Sequence, residues 1–223
     1  MCFSPEASFA GGMIISTIGI LTVRKVHKPS QLVFACIPLF FGIQQFAEGL
    51  LWLAIPDPDF RGLLNPSKYI FLIMADVLWP LIIPVSVLLM EENRKRKSAL
   101  WIIAGLGLIL AGYYIYCMLN FPVTPQIKGY HIQYTNGFPK SLAMIAFALY
   151  LLVTITPLFI SSIKRTHLLG ILMFISCLLT AIFYRQYLTS VWCFFAALIS
   201  AVIFWILKDS KKAFFSKVND LKI

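Results

Sequence analysis

The sequence predicts an all-α, polytopic membrane protein: a seven-transmembrane-helix bundle with its N-terminus outside and its C-terminus cytoplasmic. Three observations predict it. Of 223 residues, 60% are hydrophobic and 13% charged, more apolar surface than a soluble domain of this size can bury. The charges gather in short clusters, and the apolar stretches between them approach the roughly 20 residues that cross a bilayer as a helix. The basic residues are shared unequally between the two sets of connecting loops, which sets an orientation.

The spans fall at about 8–23, 31–55, 68–90, 98–119, 141–162, 167–184 and 187–207. The first has no basic residue before it and is followed by Arg24 and Lys25, which marks a reverse-oriented span rather than a cleaved signal peptide. The first and sixth spans are short and the last two nearly touch, so six or eight spans are the alternatives. One side carries fourteen basic residues: Arg24, Lys25, Lys28, Arg94, Lys95, Arg96, Lys97, Lys164, Arg165, Lys208, Lys211, Lys212, Lys217 and Lys222. The other carries five: Arg61, Lys68, Lys128, Lys140 and Arg185. The richer side belongs in the cytoplasm. Trp52 and the Tyr113, Tyr114, Tyr116 group then lie towards outer helix ends, where aromatic belts occur.

The chain divides into a bundle, 1–207, and a basic tail, 208–223. The tail interleaves its lysines with Phe214, Phe215, Val218 and Leu221, as an amphipathic segment on the anionic inner leaflet would. The longest loop, 120–140, is outside. Its stretch from Gln126 to Tyr134 is weakly strand-like and is followed by the turn signal Asn136-Gly137. It reads equally as a cover across the bundle or as a solvated connector.

Charged side chains inside a bilayer are costly and tend to mark function. Two acids lie within the spans, Glu48 in the second and Asp76 in the third, both about seven or eight residues from the outer end. At about 1.5 Å per residue both sit roughly 10–12 Å below the outer surface. Gln45, Glu48 and Trp52 stand at helical spacing, with Gln44 one turn before Glu48. Asp76, Trp79 and Pro80 form a matching stripe, and Pro80 and Pro84 each remove a backbone hydrogen bond and invite a kink. Ser190, Trp192 and Cys193 of the last span reach a similar depth. Tyr113, Tyr116 and Tyr150 lie near that level, although such rings usually only pack. These groups are expected to converge on a polar cavity in the outer half, with Glu6 above it. Two acids that close in a poor dielectric cannot both ionise cheaply. The competing reading makes them neutral groups that hydrogen-bond helices together.

Other chemistries find little support. The net charge of +10 sits in short loops and the tail, not in a basic groove with interleaved aromatics, so no nucleic-acid partner is expected. His27, His131 and His167 show no metal-ligand spacing, and no metal site is expected. The last span has no lysine before Lys208 for a retinal Schiff base, and GxSxG, phosphate-loop and CxxCH patterns are absent. Cys36, Cys117, Cys177 and Cys193 read as small buried hydrophobes. Cys2 is ambiguous: removal of Met1 would expose an N-terminal cysteine, a possible nucleophile, whereas the plainer reading is a small residue capping the first span.

Three strings together resemble an uncharacterised family of bacterial integral membrane proteins: MCFSPEASF at the start, PLFFGIQQFAEG from Pro38 to Gly49, and SVWCFFAA from Ser190 to Ala197, with Trp79-Pro80 between them. The resemblance runs the whole chain and implies a seven-span protein of the bacterial inner membrane. It brings no activity and no cofactor with it. Its strings fall on Cys2, Ser4, Glu6, Gln44, Gln45, Glu48, Trp79, Trp192 and Cys193, and Pro5 stands where a small residue such as Ala is expected.

Three functions fit. One is a ligand-binding protein, sensor or small-solute carrier, with an outward-opening pocket in which Glu48 and Asp76 meet a small-molecule or lipid ligand. A second is a membrane enzyme acting on a lipid or isoprenoid, with those acids as an acid/base pair and Cys2 or Cys193 as nucleophile. The third is a structural subunit. Carriers usually show paired halves, and no internal repeat is present here.

Overall fold

The computed structural model describes residues 4–209; Cys2 and the tail beyond Asp209 lie outside the described residues. Helix α1 (Pro5–Val23) starts where Ser4 Oγ accepts the Ala7 N–H at 3.1 Å, with Pro5 at the first position, where its missing N–H costs nothing. Helix α2 (Leu32–Ala54) returns after a tight turn at Pro29–Gln31. Helix α3 (Arg61–Leu72) runs through a wider π-helical turn, Ile73–Leu78, into α4 (Trp79–Met90). Helix α5 (Arg94–Asn120) begins at Asn93, whose Oδ1 accepts the N–H groups of Lys95 at 3.0 Å and Arg96 at 3.3 Å. A hairpin of β1 (Val123–Lys128) and β2 (His131–Asn136) precedes α6 (Lys140–Ile160), α7 (Lys164–Phe183) and α8 (Leu188–Ile199). The last apolar span continues to Asp209.

Among the described residues seven helices are long and apolar enough to cross a membrane. Each lies within a few residues of the stretch read from the sequence, except that the third begins earlier, at Pro58. Helix α1 packs on α2, with α2, α4, α5, α6 and α8 around the main core of Phe34, Ile37, Phe41, Leu100, Val153, Leu158 and Ile203.

The π-helical turn explains how the bundle tolerates its prolines. In it the Trp79 N–H bonds to Met74 O, one residue further back than in an α-helix. That withdraws the usual donor from Ala75 O, and the next residue, Pro80, has no N–H to offer. The freed carbonyl is satisfied from another helix, because Tyr150 Oη donates to Ala75 O at 2.6 Å. Pro84 likewise leaves Pro80 O without its helical donor. That carbonyl faces Gly107 of α5, where any Cβ would collide with it, so glycine is required for the approach.

The strand-like loop is a true hairpin, but its turn is not at Asn136-Gly137. Register pairs Val123 with Asn136 and Lys128 with His131, so the two-residue loop is Gly129-Tyr130. Gly129 has φ +61°, the left-handed region that glycine enters without cost and that a twist-matched turn requires at its first position. Asn136-Gly137 instead closes the hairpin base, where Gly137 N–H donates to Pro122 O at 3.1 Å. Val123 and Ile132 are buried with Trp52, Phe71 and Leu72, and Tyr134 stacks on Phe71 at 4.9 Å. The hairpin therefore packs against the ends of α2, α3 and α5.

At the opposite, basic end Glu91 joins two loops. It is 3% exposed. Its Oε1 accepts from Glu92 N–H at 3.1 Å, Asn93 N–H at 2.9 Å and Ser162 Oγ at 2.6 Å, and its Oε2 accepts from Ser162 N–H at 2.7 Å. Burial pushes its pKa up, but the Ser162 hydroxyl, the Asn93 and Ser162 N–H groups and nearby Arg96 outweigh that and hold it below the ordinary glutamate value. A carboxyl with a lowered folded pKa contributes stability above its unfolded pKa and loses it as pH falls through the folded one. Glu91→Ala is expected to cost about 1–3 kcal/mol at neutral pH, because it leaves these donors without their acceptor. The deficit should shrink as pH falls below 4 to 5, and thermal unfolding in detergent across that range checks it. A pH-independent deficit would mean that packing, not the charge, is what was lost.

Candidate functional site

Three helices meet in a polar network near the hairpin end. Gln44 of α2 is fully buried and bridges two partners: its Oε1 accepts from Trp79 Nε1 at 3.0 Å and its Nε2 donates to Cys193 Sγ at 3.0 Å. Both bonds together fix which way the amide points. Phe41 stacks on Trp79 at 3.9 Å. One turn beyond Gln44, fully buried Glu48 accepts a hydrogen bond from Ser190 Oγ of α8. Side chains of α2 thus hold α4 and α8 in place.

Beside this network lie cavities that share walls from one to the next. The largest, about 230 Å³, sits under the hairpin between Leu72, Asp76, Tyr113, Tyr114, Tyr134, Phe138 and Thr189, and reaches exposed Asn136 and Lys140 at its rim. A second, about 80 Å³, shares Asp76, Tyr114 and Thr189 with it and adds Phe147, Tyr150, Trp192 and Cys193. A third, about 20 Å³, shares Tyr150, Trp192 and Cys193 with the second and is otherwise lined by Phe41, Trp79, Ile83, Thr154, Met173 and Ala196. A fourth, also about 20 Å³, continues along Phe41, Ile83, Met173 and Ala196 to Ile203. The series runs from polar beneath the hairpin to apolar within the bundle.

Asp76 stands where the first two cavities join. Its carboxyl has no hydrogen bond and no ion pair among the described residues. Asp76 is half-buried and lines both cavities, and an acid within an apolar helix that has no protein partner there is unusual. Trp192 is 6% exposed, and its Nε1–H likewise finds no acceptor among the described residues.

Of the residues expected to converge, Asp76, Trp79, Trp192 and Cys193 line these cavities. Gln44 stands behind the wall and holds two of its members. Glu48, Gln45 and Trp52 are buried but line none of these four cavities. Cys193 lies within electrostatic reach of both Glu48 and Asp76. Both amide atoms of Gln45 and the Trp52 Nε1 lack a hydrogen-bond partner among the described residues. Glu6 is exposed in the first turn of α1, on a helix that packs against α2 rather than over the cavities. Cys2, the possible nucleophile, lies outside the described residues.

The structure adds residues that spacing alone did not select. Tyr114 and Thr189 line both upper cavities, and Tyr134 and Lys140 the outer one, while Tyr150, already placed at this level by the sequence, connects the π-helical turn to the inner wall. The π-helical turn is itself a signal, since such turns occur often at functional sites. Among the described residues no group of three or more His, Cys, Asp or Glu side chains is placed to hold a metal ion.

The model of a family of unknown function (DUF6629) matches residues 1–217, and the chain belongs to that family. No curated protein and no solved structure matches it at a significant level.

Proposed function

We propose that this member of a family of unknown function is a multi-pass membrane protein that binds a small or amphiphilic ligand from the outer side. The observation that carries the reading is the Asp76 carboxyl, without a partner among the described residues, at the junction of cavities that grade from polar to apolar. A ligand with a polar end near Asp76 and an apolar remainder directed inward would match that gradient.

The outer surface of the bundle supports a membrane setting. Ile102, Leu108, Ile109, Leu119, Met144, Ile145 and Phe183 are all exposed, a surface that water penalises and hydrocarbon does not. The fourteen-to-five basic bias puts the hairpin and the cavity mouth outside and residues 28, 95 and 165 in the cytoplasm. The absence of paired halves in the sequence favours a sensor or an enzyme over a carrier.

Two measurements test this reading. Reporter fusions at 62 and 130 should report the exterior and fusions at 28, 95 and 165 the cytoplasm; a cytoplasmic signal at 130 would close the route from outside. Native mass spectrometry of protein purified in mild detergent should show a retained non-protein mass. Protein that emerges empty, and that takes up no small molecule when screened, removes the ligand-binding reading.

A further inference from the structure

Resting on that ligand-binding reading, we propose that the ligand's polar end is an organic ammonium group, held between the Asp76 carboxylate and the rings of Tyr114, Tyr150 and Trp192. All four residues line the inner cavity of about 80 Å³, several times the space one water needs. The rings form corners rather than a stack. Tyr114 meets Tyr150 edge-on at 6.5 Å and 82°, and Tyr150 meets Trp192 at 5.5 Å and 64°. Neighbouring rings set at steep angles turn their electron-rich faces in different directions, and a cation seated over any one of those faces is attracted to it.

The walls are held in position. The Tyr150 hydroxyl is committed to Ala75 O at 2.6 Å, so that ring is fixed by the same π-helical turn that carries Asp76. Cys193, on the same wall, is held by Gln44.

The alternatives fit this lining less well. A small inorganic cation needs several hard oxygen ligands at short range, and here Asp76 and Thr189 stand in a lining that is otherwise aromatic and apolar. A neutral apolar group would leave the Asp76 carboxyl unpartnered in the cavity, at a desolvation cost. An organic ammonium brings both the counter-charge for Asp76 and the alkyl surface that aromatic walls favour. Its source is either a free solute or a lipid headgroup, and the recognition chemistry is the same.

Calorimetric titration of the full chain in non-ionic detergent tests the proposal, with choline chloride, tetramethylammonium chloride, potassium chloride and 3,3-dimethyl-1-butanol, the uncharged carbon analogue of choline. Choline and tetramethylammonium should bind saturably, the uncharged analogue at least about tenfold more weakly, and potassium not at all. Trp192→Leu should weaken choline about tenfold; if that variant does not fold, the comparison of choline with its uncharged analogue on the natural sequence still decides. In nanodiscs, loss of choline binding in phosphatidylcholine but not in phosphatidylglycerol identifies a lipid headgroup, whereas equal binding in both identifies a free solute. An uncharged analogue that binds as tightly as choline overturns the ammonium and leaves the cavity reading intact. A retained mass that is not an amine, with no choline binding, does the same. Protein that is empty by mass spectrometry and silent to every probe overturns both.

Discussion

Asp76→Asn folds normally and loses its ligand: this is the largest functional effect expected from any single substitution in the bundle. The carboxyl makes no hydrogen bond and no ion pair among the described residues, so an amide of the same shape forfeits no internal contact. Removing an acid that the protein leaves unpartnered should relieve a desolvation cost, and the unfolding temperature should stay level or rise. Binding moves the other way. A hydrogen bond or ion contact to a charged group contributes about 1.5–3 kcal/mol, or roughly ten- to a hundredfold in affinity. Retention in native mass spectrometry should therefore fall at least about tenfold while thermal stability holds. Stability kept or gained together with binding lost is the mark of a group maintained for function rather than for the fold. Unchanged retention would remove Asp76 from the site, and a large loss of stability would make it structural.

How much of this was legible in the sequence depends on what kind of information each feature needs. The seven long apolar helices were legible because apolar length can be read without any knowledge of packing. Asp76 was legible for a related reason: a lone acid in an apolar stretch stands out whatever surrounds it. Glu48 shares its depth in the sequence, and depth is only one coordinate. Helical spacing ranks residues along an axis and around it, but it does not say which way one helix is rotated against another. The third span made this harder, because the π-helical turn Ile73–Leu78 inserts an extra residue and shifts the angular relation of Asp76 to Trp79 away from the α-helical one.

Other parts were hidden by resemblance to ordinary features. Tyr114 and Tyr150 are aromatic residues at helical spacing, and most such residues only fill space. What separates Tyr150 is a carbonyl it meets on another helix. Glu91 lies one residue beyond the apolar run of the third span, among charged loop residues with which its letter is interchangeable. Its burial comes from Ser162, seventy-one positions away. The hairpin's pairing was faintly legible, but Asn136-Gly137 carried a stronger turn signal than Gly129-Tyr130. Strand register, set by Val123 and Ile132 seeking cover, overrode it.

Glu48 should behave in the opposite way to Asp76, and the contrast separates glue from site. It is fully buried, its Oε1 accepts from Ser190 Oγ, and that bond ties α2 to α8 across the bundle. Glu48→Ala removes the acceptor, leaves a buried hydroxyl to find another, and opens a cavity between two helices. These losses together are expected to cost about 3 kcal/mol or more, which should lower the unfolding temperature in detergent by several degrees. Glu48→Gln keeps an oxygen where Ser190 donates and nearly the same volume, so it should cost under about 1 kcal/mol. Because Glu48 lines none of the four cavities, Glu48→Gln should also retain ligand close to the natural level. Gln44 supplies an internal check, since it makes the neighbouring links to Trp79 and Cys193: Gln44→Leu should destabilise as Glu48→Ala does, through the loss of both bonds. If Glu48→Gln kept full stability but lost the ligand as completely as Asp76→Asn, the two acids would act on the ligand together. The division between a binding carboxylate on the third span and a structural one on the second would then fail.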